Sequence, residues 1–566
     1  MITSKNRFIL LASCALFALG ACSMLSPSES KTAEVAPPPP PPPAPPPPPP
    51  PPPSMVSVTA SRGMMMTPVA PQPPAQVQNR ERYEDVDENP IKRVTDEPVS
   101  TFSIDVDTAS YAVARRDLNA GHLPHKDAIR IEELINYFDY DYDLPESQDP
   151  PFSTSVTLVP SPWADGNQLM QIGLQGYEIE ADERPPIKLT LLVDVSGSMG
   201  AQDKLPLAKK ALKLLIDQMT EKDSVAIAVY AGAAGTVLEP TSGADKGKIY
   251  AALEDMSAGG STAGGEGLRL AYNLAEQTFD EDAVNRVMLL TDGDFNVGIT
   301  QDEQLEDFVS RKRESGVYLS VMGFGRGNYN DAMMQKIAQA GNGMAAYVDT
   351  LNEARKLLSD DLSGSLFTIA KDVKIQVEFN PERVAEYRLI GYETRMLNEA
   401  DFNNDKVDAG EIGAGHSVTA IYELTPTGSD SALMDDRRYG DAKPVATTES
   451  DELAFLKLRY KLPDSNTSKL LSVPITDVMG YDELATAPNA TRFATAVAGY
   501  GQLLKGSPFI QTDFGYDDVI ELGLSARGED PFGYRSEFIQ LARSAKTAAA
   551  QAALETPVQP EAPPTR

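Results

Sequence analysis

The sequence predicts an α/β chain in which a doubly wound domain is inserted into a β-sandwich-like domain, with helical segments at the N- and C-terminal ends. Three observations lead there. Between Ile187 and about Leu362, apolar runs of strand length alternate with amphipathic helical patterns, as in a parallel sheet covered on both faces. On either side of that stretch, apolar residues alternate with Lys, Gln and Glu at period two, the pattern of half-buried antiparallel strands. Residues 98–150 and 466–553 instead space their apolar side chains at helical intervals.

The N-terminus places Lys5 and Arg7 before an apolar stretch from Phe8 to Leu19, shorter than the roughly 20 residues a spanning helix needs, so residues 1–21 read as a secretory leader. Leu19-Gly20-Ala21-Cys22 resembles the bacterial lipobox. That likeness implies cleavage before Cys22 and lipidation there, and several acyl chains make a stable membrane anchor where one binds only marginally. Ser23 stands where an aspartate would resemble an inner-membrane retention signal, which favours the outer membrane. With Cys14 discarded and Cys22 lipidated, the mature chain would keep no thiol, as suits an oxidising envelope. Residues 22–97 read as a disordered Pro-rich linker: Pro37 to Pro53, broken only by Ala44, lacks amide donors and should form a polyproline II spacer of about 50 Å.

Folded structure is expected from near Thr101. Asp107 is placed to cap a helix through Leu118, with Gly121 as terminator, and a second helix carries Ile131, Leu134, Ile135 and Phe138 on one face, giving a helical N-terminal segment over 98–150. Met170, Ile172 and Leu174 alternate within 151–183; Val373, Ile375, Val377 and Phe379, then Leu456, Leu458, Tyr460 and Leu462, alternate within 366–465. These are read as two parts of one β-rich domain, interrupted by residues 184–365. The strand runs of the interruption are Ile187–Val193, Ser224–Tyr230, Arg286–Leu290, Val317–Met322 and Met344–Val348. Between them, Leu205, Ala208, Leu212, Leu215 and Met219, and later Leu268, Tyr272 and Ala275, form helical stripes that bury against the sheet. Phe493, Val497, Tyr500 and Leu504 share a helical face in the C-terminal region 466–553, which ends in the Ala-rich run Phe538 to Ala553; residues 554–566 form a loose tail.

Asp194-Val195-Ser196-Gly197-Ser198 leaves the first strand of the inserted domain. By itself the string reads either as a helix cap or as hard oxygen ligands for a divalent cation. Ligands of doubly wound sheets bind beyond the carboxyl ends of the strands at the topological switch point, and two more loops on that edge, Gly259-Gly260-Ser261-Thr262 and Thr291-Asp292-Gly293, offer matching oxygens. In order, spacing and strand context, Asp194, Ser196, Ser198, Thr262 and Asp292 resemble the metal-ion-dependent adhesion site of von Willebrand factor type A domains. The resemblance implies a Rossmann-like domain holding Mg²⁺ or Mn²⁺, with Ser196, Ser198 and Thr262 as direct ligands and Asp194 and Asp292 acting through bound water. It also implies that an acidic residue of a partner fills the remaining coordination position. Asp107-Thr108-Ala109-Ser110-Tyr111, the run Arg130 to Phe138, Asp408 to Gly413 and Asp530 to Arg535 look like bacterial YfbK-type lipoproteins with such a domain. That wider likeness implies a lipid-anchored cell-envelope protein whose partner is another envelope protein.

Other readings are excluded on chemistry. A formal net charge of −32 repels nucleic acid. Asp105-Val106-Asp107-Thr108 departs from a phosphatase nucleophile loop because Ala109 stands where Thr is needed. His122 and His125 bracket Leu123-Pro124 and are expected on the surface, without the further ligands a metal requires. Asp401 to Asp405 starts like a calcium loop, but Lys406 replaces the required Gly and Ile412 the bidentate Glu, leaving a polar hairpin turn. Gly323-Phe324-Gly325-Arg326-Gly327 lacks dinucleotide spacing and reads as a flexible loop. No G-x-S-x-G elbow, Walker A loop or H-E-x-x-H helix occurs, so no catalytic residue and no enzyme activity are expected. A metal-assisted hydrolase would need an activating base beside the ion, and a spacer between membrane and cell wall would depend on the proline tract instead.

Overall fold

The computed structural model describes residues 81, 83–180, 182–260, 264–293, 302–327, 329–435 and 451–555. The leader, Cys22, the proline tract, Thr262 and residues 556–566 lie outside them; residues 554 and 555, expected in the tail, end the last helix instead. Strands β1 (Lys92–Arg93) and β2 (Val99–Ser103) lead into helices α1 (Ala109–Asn119) and α2 (Ile131–Ile135) and the hairpin β3 (Phe152–Pro160) and β4 (Gln168–Gly176). The α/β unit follows as β5 (Ile187–Asp194), α3 (Leu205–Asp217), β6 (Ser224–Tyr230), β7 (Ala234–Ser242), α4 (Lys246–Asp255), α5 (Gly264–Gln277), β8 (Val284–Thr291), α6 (Asp302–Glu314), β9 (Tyr318–Phe324), α7 (Asp331–Ala340), β10 (Ala345–Val348), α8 (Leu351–Arg355) and α9 (Leu362–Leu366). Strands β11 (Thr368–Phe379), β12 (Val384–Ile390), β13 (Gly410–Gly413), β14 (Ser417–Pro426), β15 (Glu452–Lys461) and β16 (Lys469–Thr476) precede helices α10 (Asn489–Lys505), α11 (Tyr516–Ser525) and α12 (Tyr534–Glu555).

The α/β sheet has the order β10-β9-β8-β5-β6-β7. All neighbours are parallel except β6 and β7. Strand β7 was not foreseen, because Ala234-Gly235-Thr236-Val237-Leu238 continues into polar residues and an edge strand has only half a core to answer to. Chain direction across the sheet reverses at β5, since β6 lies on one side of it and β8 on the other. The switch point therefore falls between the ends of β5 and β8.

Two further sheets enclose the sandwich: β1-β12-β14-β4-β3, and β13-β11-β15-β16 with β2 added to β11. The pairing that an inserted α/β unit requires is present, with β4 antiparallel to β14 from Gln175 opposite Ser417 to Gln168 opposite Leu424. Aromatic rings join the layers: Phe152 on Tyr460 at 4.8 Å, and Phe379 stacked on Tyr387 at 4.3 Å between centroids. Residues 469–476 are a strand rather than part of the helical C-terminal region. In β16 the inward residues alternate with exposed ones around Pro474, as an edge strand tolerates.

Residues 83–97, expected as linker, are docked on the body. Val94 is fully buried, the Asn89 amide donates to the Gly391 carbonyl at 2.7 Å, and Ser507 Oγ donates to Glu88 at 2.8 Å. These partners lie hundreds of residues away, which no local periodicity reveals. Asp107 does not cap α1, whose N-cap is Thr108 without a side-chain bond. Its carboxylate accepts instead from the Ala345 amide at 2.9 Å and from Arg395 at 3.2 Å, tying α1 to the end of the α/β sheet. Gly121, with φ +84°, follows the last turn of α1 as expected of a terminator. The segment Glu399–Asn403 is a 3-10 turn with a capping box, not a hairpin.

Helix α1 serves two cores. Ala109, Ala112 and Val113 pack with Leu319, Val321 and Tyr347 of the α/β unit. Tyr111 stacks on Tyr137 at 3.7 Å, and Phe138 meets Phe493 and Phe538 of the C-terminal helices at 5.0 and 5.7 Å. Arg115, 2% exposed, reaches Asp349, Glu353 and Glu537 from the same helix. Among the described residues no helix is long and apolar enough to cross a membrane.

Candidate metal centre

Asp194 is the last residue of β5, and Asp292 is the first after β8; both are 0% exposed. Neighbouring parallel strands thus deliver two buried carboxylates to the switch point, where carbonyl ends and loops converge. Asp194 is held on both oxygens: Oδ1 accepts from the Ser196 amide at 2.8 Å, and Oδ2 lies 3.4 Å from the Thr291 hydroxyl that donates to it. Burial pushes its carboxyl up to about 6; the Ser196 amide and hydroxyl oppose that rise, and the charge of Asp292 adds to it.

The D-x-S-x-S loop is fixed from beneath by Met199, fully buried, within the 3-10 turn Gly197–Gly200. Its backbone is stitched to the next loop, with Gly197 N donating to Gly260 O at 3.1 Å and Gly259 N to Val195 O at 2.7 Å. Gly260 adopts φ +88°, and a side chain there would stand 3.4 Å from the Gly232 amide. That contact is an ordinary one, so it is the left-handed backbone, not a lack of space, that calls for glycine at this turn. Ser196 is buried and Ser198 exposed, yet their hydroxyl oxygens lie 2.9 Å apart, forming the mouth above the carboxylates.

Four of the five sequence-derived site residues are thus described, on the ends of β5 and β8, and Thr262 lies outside the described residues. Sequence reasoning missed Lys204. Its ammonium donates to Asp292 Oδ2 at 2.8 Å from a side chain 9% exposed. A lysine between the motif and an amphipathic helix is visible in the sequence, but nothing there couples it to a residue 88 positions away.

Among the described residues the site brings together two buried carboxylates and one ammonium, and the donors offered are hard oxygens. That set fits Mg²⁺ or Mn²⁺ and would suit a thiophilic ion poorly. Among the described residues no group of three or more His, Cys, Asp or Glu side chains could hold a metal.

The family model for the von Willebrand factor type A domain matches residues 188–360, that for the C-terminal region of uncharacterized protein YfbK matches 364–548, and a von Willebrand factor model matches 77–171. The uncharacterized protein YfbK of Escherichia coli (strain K12) is 45% identical over 468 residues, covering 81% of this chain and 80% of that protein. The chain belongs to the YfbK family. Inter-alpha-trypsin inhibitor heavy chain H3 of Mesocricetus auratus is 25% identical to this YfbK-family chain over 271 residues, 44% of it and 30% of that protein. Similar solved structures include conserved hypothetical protein BatB from Bacteroides thetaiotaomicron, at 27% identity over 31% of this chain and 97% of that one, with TM-score 0.27. A von Willebrand factor type A protein from Catenulispora acidiphila covers 72% of the YfbK-family chain and 91% of its own at 14% identity, with TM-score 0.38. The inserted α/β unit of the YfbK family is a von Willebrand factor type A domain, a module that commonly mediates protein–protein interaction.

Proposed function

We propose that this chain is a lipid-anchored cell-envelope protein that captures an acidic group of another envelope protein through a divalent ion. The ion, Mg²⁺ or Mn²⁺, would be held by Ser196, Ser198 and Thr262, with Asp194 and Asp292 orienting its waters. Bound there, it supplies a coordination position for the partner's carboxylate. The observation that carries this reading is the convergence of two wholly buried carboxylates and a pair of touching hydroxyls at the sheet's switch point.

The surface beside the seat suits an acidic partner. A cleft of about 430 Å³ begins at Met199 and Gly200, directly after the D-x-S-x-S string, and is lined by Lys209, Lys210 and Lys213 of α3 together with Glu254, a rim with more basic than acidic side chains on a chain of net charge −32. Lys213 pairs with Glu254 and Lys209 donates to the Glu254 carbonyl at 2.8 Å, so the rim is held in place rather than splayed. Anchoring through Cys22 and residence at the outer membrane belong to the same reading. A hydrolase would need a base beside the ion, whereas His122 and His125 are exposed near Arg116 and His416 packs on Gly364.

The test is capture of envelope proteins by crosslinking in intact cells. Asp194→Ala or Asp292→Ala is expected to abolish metal-dependent capture while the chain stays folded. Capture that persists unchanged in EDTA refutes the reading.

A further inference from the structure

From Glu81 to Asn89 the sequence carries five acidic side chains, Glu81, Glu84, Asp85, Asp87 and Glu88, just before the first strand. Two of them are seated on arginines of the body. Arg116 of α1 grips Glu81 through both Nη atoms at 2.9 Å, the Gly327 amide in the loop after β9 donates to the same carboxylate at 3.0 Å, and so does the Tyr83 hydroxyl at 3.0 Å. Arg388 of β12 lies 3.7 Å from Glu88, which also accepts from Ser507 Oγ at 2.8 Å. Asn89 donates to the Leu389 and Gly391 carbonyls at 3.2 and 2.7 Å. The segment therefore straps the α/β unit to the sandwich and to the turn after α10.

Two features make the strap detachable. Among the described residues no backbone–backbone hydrogen bond holds Tyr83 to Ile91, and ladder pairing starts only at Lys92, opposite Tyr387. Side chains alone carry the strap. Nor does its departure strand a buried charge. Arg116, 4% exposed, keeps Asp117 at 2.8 Å; Arg388, 2% exposed, keeps Glu423 at 2.8 Å and the Gln502 amide oxygen at 2.7 Å. An uncompensated buried charge is what makes breaking a buried pair costly, and both arginines avoid it. The cleft beside Glu81 and Tyr83 adds Lys126 and Arg326, both exposed, against Asp117 and Asp127.

We propose that the strap is a stand-in ligand: the track beneath it, from Arg116 to Arg388, is a docking site for an extended acidic segment of another protein, and the strap covers that track until such a segment displaces it. The incoming segment carries two carboxylates spaced as Glu81 and Glu88 are, one of them taken by the planar fork of Arg116 and the Gly327 amide. The track uses none of the residues assigned to the metal centre and needs no ion. Because the strap is tethered, it competes at high effective concentration, and a free peptide reaches the track only when the strap is weakened.

The experiment is binding of a fluorescein-labelled peptide of residues 80–91 to the full chain, read by anisotropy in the presence of EDTA. The chain carrying Glu81→Gln and Glu88→Gln is expected to bind the peptide about tenfold or more tightly than the natural chain does. The same peptide with Gln at both positions should lose that binding. Equal binding by the two chains, binding by neither, or binding indifferent to Gln in the peptide overturns the proposal. Hydrogen exchange of the natural chain tests it without any variant: amides of residues 83–91 should exchange about a hundredfold or more faster than those of β2. Protection equal to that of β2 would make the strap a permanent part of the body and overturn the proposal as well.

Discussion

Replacing Arg115 by methionine would strand the carboxylates that α1 neutralises. The guanidinium donates to Asp349 Oδ2 at 2.9 Å, Glu353 Oε2 at 2.7 Å, Glu537 Oε1 at 2.8 Å and the Tyr137 hydroxyl at 3.1 Å. Asp349 and Glu353 side chains are 5% and 1% exposed, so they dominate the cost; Glu537, at 31%, is screened by water and contributes little. Methionine preserves much of the apolar stem, leaving mainly the uncompensated charge, for which breaking a buried pair costs about 3–5 kcal/mol. Because α1 bridges two cores, that loss should appear as local opening. Hydrogen exchange of the α1 amides is expected to accelerate by about two to three and a half orders of magnitude. The effect should depend on pH. Burial raises the Glu353 carboxyl, and the Arg115 charge is the strongest influence holding it down. Without Arg115 the folded state keeps a proton that the unfolded chain has lost, so the variant's stability falls as pH rises between the unfolded and folded values. The deficit should therefore be greater at about pH 8 than at about pH 5. Exchange rates within tenfold of the natural chain, or a deficit equal at both pH values, would refute the reasoning.

Two more outcomes follow from packing and burial. Gly413→Ala should destabilise the chain by about 2–3 kcal/mol in urea denaturation, because a Cβ there would sit 1.9 Å from the Gly364 carbonyl oxygen; an unchanged midpoint would show that the β13 and α9 backbones are free to part. Glu132 is fully buried, and its carboxyl is pushed to about 8 by burial first and by Glu393 and Asp105 next. The folded state then holds a proton the unfolded chain releases, and stability declines as pH climbs from the ordinary carboxylate range towards about 8. Glu132→Gln, which imitates the protonated form, should flatten that decline and melt higher than the natural chain at the alkaline end; a parallel pH profile for the two would argue against it.

The α/β unit was legible because its strands are continuous apolar runs, as parallel strands buried on both faces must be. Ser224–Tyr230 coincides with its strand, and the other four runs fall within a few residues of theirs. The candidate site was readable in part: Asp194, Ser196, Ser198 and Asp292 stand at or just beyond strand ends, where sequence order dictates position, while Thr262 lies outside the described residues. What escaped was set by distant partners. Edge strands β7 and β16 have weak alternation, β2 is defined by its pairing with β11, and Asp107 bonds to Ala345 rather than to its own helix. Lys204 escaped for the same reason: only the folded sheet brings it over Gly325 to Asp292.

The pairing of β2 with β11, Ser103 opposite Lys374 and Val99 opposite Glu378, sets an order for the birth of the molecule. During synthesis the α/β unit, contiguous from Ile187 to Leu366, has all its strands in hand early and can condense alone. The N-terminal strand must wait for a mate some 270 residues downstream, and α1 must wait for α12 to bring Glu537. Until then β2 stays an unpaired strand and α1 keeps an unclaimed apolar flank. The nascent chain therefore passes through a stage in which the α/β unit is finished but its frame is open, and α12, arriving after every strand of that frame, is the latch that closes it.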